Sequence, residues 1–341
     1  MSGPRPLTWQ LSRAELAVVA AAIVVAVGLL LPAIAKVREA DSRNRAADNL
    51  RRIGVALVGY SNDHGVIPHN GGRASGYDPN GWGPGNVGWF TTVLPDQNST
   101  SAAYVFNVNP ADAAPESSTI QAYPEPGKAG ANQPGPWCYA ILPHLGRAEL
   151  AFDPEGYSKP VAEYRCPVRG RPAAIVATSA RNNVVNPRNP WAHTDYAVNL
   201  VLVGNRYGIR WSDAAQAYTH GPARLDRIPD GTAATILCGQ KSMKVDNYAS
   251  GAWAYDEPIW CGGHNGTGRG YRGWPRHDDR IWGEVVRDVD GASDDRRWGA
   301  PFAAGCPFLF ADGAVRFIPF GKDVRSLLDP ADGQAVDPCA Y

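Results

Sequence analysis

Four aspartates crowd the stretch RDVDGASDD, residues 287–295: Asp288, Asp290, Asp294 and Asp295, set about Gly291. Hard oxygen donors around a glycine are the ligands calcium takes. The spacing departs from an EF-hand and the closing Glu is missing, so the run also reads as a solvated acidic loop. A second stretch, GGHNGTGRG from Gly262 to Gly270, is glycine-rich around His264 and suits backbone contact with an anion. It lacks the Lys-Ser/Thr of a phosphate loop. His264 and His277 with Asp278 and Asp279 supply acid–base groups, but no nucleophile is matched to them. The expectation is a chain that is not an enzyme and carries no cofactor, with calcium as the one weak candidate. Trp253, Trp260, Trp274, Trp282 and Trp298 read either as core under long loops or as a stacking surface for sugars or a partner.

Six cysteines, Cys138, Cys166, Cys238, Cys261, Cys306 and Cys339, all lie beyond residue 130, and none forms a C-x-x-C. An even count without metal spacing favours disulfides in an oxidising compartment over a zinc site. Their connectivity is open. Lys plus Arg equals Asp plus Glu at 33 each. The balance leaves no overall field to recruit nucleic acid, and none is expected as a partner.

Positioning begins at the N-terminus. Leu16 to Ala35 is a run of twenty uncharged residues. At about 1.5 Å per residue it reaches across a hydrocarbon core of about 30 Å. A signal peptide, a plain anchor and an assembly stalk all begin this way. Ala33-Ile34-Ala35 supplies a small-x-small cleavage site for the first reading. What favours the third is the continuation: Val37, Ala40, Asn44, Ala47, Leu50, Ile53, Leu57 and Tyr60 recur at helical spacing, with Asn44 as the polar lapse. The spacing predicts one helix over 12–60, with 16–35 in the membrane and 36–60 as an amphipathic stem. Pro32 is expected to kink or locally melt it.

Glu15 stands at the mouth of the apolar run, where an unpaired carboxylate is costly. Ser12-Arg13-Ala14-Glu15 fits a capping box, and a contact with a neighbouring subunit is the compatible alternative. Lys36, Arg38, Arg43, Arg45, Arg51 and Arg52 follow the apolar run, against Arg5 and Arg13 before it. That bias alone would keep the large domain in the cytoplasm. The cysteines point to export, which is the expectation adopted.

Residues 1–11 then form a short leader, 61–136 a Gly/Pro-rich loop region, and 137–341 a β-rich globular domain. Gly and Pro number 37 and 29, which suits many turns between short strands. Phe308 to Ala311 and Ala314 to Ile318 flank Asp312-Gly313, the dipeptide of a two-residue type I′ hairpin. Asp230-Gly231 precedes a further strand, ATILCG. The fold class expected is α+β: a long N-terminal transmembrane helix followed by a loop-rich, β-rich domain.

The apolar helix opened by Glu15, with Pro32 seventeen residues on, resembles the N-terminus of type IV pilins and type II secretion pseudopilins. LLLPAIAKVREADSRNRAADNLRRIGVALVGYSNDHGVIP, WCYAILPHLGRAEL, YRCP, TDYAVN, RIPDGTAATILCG and FLFADGAVRFI, in that order, resemble a planctomycete pseudopilin-like family of unknown function with a prepilin-type N-terminal segment. The resemblance implies a pilin-like domain, an inner-membrane single pass with the C-terminal domain outside or an extracellular filament, self-association through the helix, and other pilin or secretion-system subunits as partners. It makes Gln10, Leu11, Glu15 and Pro32 the processing and assembly positions. Gly and Phe usually flank the cut, where Gln10 and Leu11 stand here, and Phe302 stands where that family commonly has His.

Overall fold

The computed structural model describes residues 12–70, 129–130, 135–153, 155–175, 190–204, 210–212, 217–219, 221–249, 259, 266–270, 282–288, 297–334 and 336. The chain divides into two compact units, Met1–Arg45 and Ala46–Tyr341. Helix α1, Arg13–His64, is shared by both. In the first unit it is a single exposed rod, and it continues through Pro32 without a break. The expected melting there does not occur. Proline removes one backbone donor, and the turns on either side carry the helix across the gap.

The second unit has the α+β class expected. Its sheet runs in the order β5-β1-β4-β8-β9, with β1 Tyr196–Asn199, β4 Ile236–Gln240, β5 Gly268–Arg269, β8 Cys306–Phe310 and β9 Val315–Ile318. β4 lies antiparallel to both β1 and β8, β8 is antiparallel to β9, and only β5 joins β1 in parallel. Two further pairs stand apart: β2 Arg210–Ser212 with β3 Ala217–Thr219, and β6 Val285–Arg287 with β7 Trp298–Ala300.

Both faces of the main sheet are covered, which is why its central strands read as near-continuous apolar runs rather than alternating ones. On β8 the strand period sends Leu309 into one cluster and Cys306, Phe308 and Phe310 into the other. Leu309 meets the stem of α1, where Leu50, Ile53, Leu57 and Tyr60 pack with Trp137, Tyr164 and Leu237. The stem comes close because Gly54 has no side chain; a Cβ there would stand 2.8 Å from Leu309. On the opposite face Phe308 packs edge-on against Trp298 at 5.4 Å. Gly239 on β4 makes room for both rings, since a Cβ would fall 2.5 Å from Phe308 and 3.0 Å from Trp298. Trp298 is fully buried, so it is core and not part of a stacking surface.

The turn after β8 differs in type from the expected one. Phe310 donates to the Ala314 carbonyl and Gly313 donates to the Phe310 carbonyl, both at 2.9 Å, so three residues form the loop. Gly313, at φ 84°, takes the left-handed position. Asp312 accepts the Ala314 amide at 2.9 Å and pairs with Arg316 at 3.0 Å. A three-residue loop lets that side chain replace the missing backbone partner.

Candidate functional site

The apolar end of α1 packs against nothing else among the described residues. Val24, Leu29 and Leu31 are 72, 72 and 62 % exposed, and the most apolar window of the helix buries nothing. The segment is long and apolar enough for a single-pass membrane anchor or a signal sequence. Every seventh residue along it is small: Ala14, Ala21, Gly28 and Ala35. A seven-residue repeat keeps one stripe facing a partner helix, and small side chains let two backbones approach. Among the described residues, no atom beyond its own helical backbone lies within 4 Å of where a Cβ on Gly28 would stand.

Glu15 is engaged at its own helix terminus. Its carboxylate accepts the Ser12 amide at 2.7 Å, and the Ser12 hydroxyl accepts the Glu15 amide at 3.3 Å. This reciprocal pair satisfies two donors that a helix start leaves open. Gln10 and Leu11 lie outside the described residues.

A second cluster lies inside the globular unit, and sequence reasoning missed most of it. Arg169, Arg171, Asp195 and Asp288 are all at most 5 % exposed. Arg169 donates from Nε to Asp288 at 2.9 Å and from Nη1 to Asp195 at 3.1 Å, and also bonds the Lys241 carbonyl. Arg171 donates to Asp195 at 2.7 Å, and the Cys166 amide does so at 2.6 Å. Asp288 accepts the Met243 amide at 2.9 Å and the Tyr248 hydroxyl at 2.8 Å. Burial alone would raise the pKa of Asp195; Arg171, then Arg169, His193 and the Cys166 amide outweigh it and hold the carboxyl well below the usual range. The short segment from Cys166 to Arg171 is thereby tied to the ends of β1, β4 and β6.

Asp288 is therefore a buried partner of a guanidinium, a phenol and an amide, not a surface ligand for calcium. Its oxygens already face donors, and the Arg169 cation beside it opposes a second positive charge. Asp290, Asp294 and Asp295 lie outside the described residues, as do His264, His277, Asp278, Asp279, Trp253, Trp260 and Trp274. Among the described residues no group of three His, Cys, Asp or Glu side chains is placed to hold a metal.

The expected three disulfides are not formed. Cys138, Cys166, Cys238 and Cys306 are separate buried thiols. Cys138 and Cys238 sit in the cluster on the stem side of the sheet, Cys166 and Cys306 in the cluster on the other. Cys138 donates to the Ile259 carbonyl at 3.1 Å and Cys306 to the Gln240 carbonyl at 3.4 Å. Burial pushes the Cys166 thiol up to about 11, against the pull of Arg169, so it behaves as a small apolar side chain. Cys261 and Cys339 lie outside the described residues. The even count thus loses its force as a sign of an oxidising compartment.

Nothing among curated proteins matches the chain, and no solved structure does. Residues 35–323, well over half of the 341, match the family model described as "Protein of unknown function (DUF1559)", and the chain belongs to that family.

Proposed function

We propose that the protein is a pseudopilin-like structural subunit, or a minor component, of a pilus-like or secretion-associated filament at the cell envelope, without catalytic activity. The carrying observation is α1: one unbroken helix whose last turns belong to the domain core while its first twenty-odd residues are apolar and exposed. A signal peptide has no need of such a stem. In this reading the apolar segments of neighbouring subunits pack along the stripe of Ala21 and Gly28, the domains face outward, and Glu15 and Pro32 keep the assembly positions that the pilin resemblance gives them. Electron microscopy of surface fractions freed of membrane tests it. Filaments that bind an antibody to the domain are the expected result, and protein recovered solely as membrane-bound monomer counts against assembly.

A membrane-tethered binding protein that never assembles is the second reading, and Gln10 and Leu11 favour it. They stand where prepilin peptidase substrates usually have Gly and Phe. The intact mass of the mature chain separates the two: a start at Leu11 supports processing and assembly, a start at Met1 or Ser2 supports the tether, and a start at Lys36 removes both.

A further inference from the structure

Six cations follow the apolar run, and the structure separates them into two groups. Arg45 pairs with Asp41 at 2.9 Å, Arg51 pairs with Asp48, and Arg52 reaches Glu163 at 3.6 Å. Arg43 is also engaged. Lys36 and Arg38 have no carboxylate within ion-pair distance among the described residues, and both are exposed. These two are the nearest to the membrane-spanning segment.

Their depth identifies what they meet. With Ala35 at the edge of the hydrocarbon, the helical rise sets Lys36 about 1.5 Å and Arg38 about 4.5 Å beyond it. The headgroup layer extends roughly 5–7 Å past the hydrocarbon on each side, so both cations lie within it and Arg43 lies outside. We infer that Lys36 and Arg38 form a binding site for anionic phospholipid headgroups on the domain side of the bilayer. The inference rests on reading Leu16–Ala35 as a membrane span. Phosphate is the anion concentrated at that depth, and Glu39, the protein carboxylate nearest to these two cations in the chain, is within ion-pair distance of neither.

The test uses the full chain in nanodiscs of equal phosphatidylcholine and phosphatidylglycerol, with retained lipids counted by native mass spectrometry. Carbonate extraction of membranes reports insertion separately, so loss of lipid selectivity with insertion intact is distinguishable from failure of the span. The wild-type chain is expected to retain phosphatidylglycerol preferentially, with an enrichment of about fivefold for each cation, falling as salt is raised. Lys36→Gln with Arg38→Gln removes the enrichment. Arg51→Gln leaves it unchanged, and the exchange Lys36→Arg with Arg38→Lys keeps it. Equal retention of the two lipids by the wild type, or undiminished enrichment in the double Gln variant, overturns the assignment. So does enrichment confined to discs holding two chains, because Lys36 and Arg38 of a single chain would then not suffice to bind the headgroups.

Discussion

His193 is 1 % exposed, and neither ring nitrogen has a hydrogen-bond partner among the described residues. Burial, then the neighbouring Arg171, pushes its pKa down to about 3. The folded protein therefore holds it neutral while the unfolded chain protonates it near 6.5. Stability from this group is intact above pH 6.5 and declines as the pH falls toward 3, by an amount on the order of 4 kcal/mol. The Asp195 carboxyl, depressed by its two arginines, acts in a lower window: its contribution is present above about pH 4 and is lost below. Chemical denaturation of the full chain at a series of pH values should show weakening that starts near pH 6.5. A His193→Phe variant should postpone that onset to about pH 4, and a histidine ring signal that moves between pH 8 and 5 only in the unfolded state would mark the same residue by NMR. Asp195→Asn leaves two guanidinium groups short of a buried counter-charge and should cost about 3–5 kcal/mol at neutral pH. If the loss is under 1 kcal/mol, the cluster is not the tie that its geometry implies.

At the scale of elements, the stem was legible in the sequence because a helix repeats its contacts locally. The predicted face of Ala47, Leu50, Ile53, Leu57 and Tyr60 is the buried one, while Val37 is 69 % exposed because the globular unit begins only at Ala46. Leu57→Ala should cost about 2–5 kcal/mol, and Val55→Ala, at a site 73 % exposed, should stay within about 0.5 kcal/mol. Equal effects in thermal unfolding would mean that the stem is not docked by this face. The hairpin at Asp312-Gly313 was legible for the same local reason, though not its loop length, which depends on whether the chain pairs through Phe310 or Ala311. Nothing local marks the ion cluster. Arg169 meets Asp195 and Asp288 across 26 and 119 residues of chain, and an Arg-x-Arg after YRCP looks like ordinary surface. The cysteines misled in the opposite direction, because an even count carries no information on which side of a sheet each thiol falls.

For the molecule as a whole, the proposed assembly makes different demands on the two units, and that difference can be measured. The globular unit has its own two-sided core, so changes in the apolar rod should leave its unfolding untouched. Gly28 is the position where this separates most cleanly. Among the described residues a Cβ there meets no atom outside its own helical backbone, and replacing glycine by isoleucine within a helix favours the helix by roughly 0.5 kcal/mol. Gly28→Ile should therefore leave the domain as stable as before and insert into membranes at least as well. If neighbouring helices approach along Ala21, Gly28 and Ala35, the added bulk holds their backbones apart, and self-association should weaken by about tenfold. Sedimentation equilibrium of the full chain in detergent reads that number directly, with Leu29→Ile, off the small-residue stripe, as the control that should change little. Unaltered association in Gly28→Ile together with a loss in Leu29→Ile would move the contact about 100° round α1, to the neighbouring face. Loss in neither would leave the helix a solitary anchor and make the tethered reading the better account of the protein.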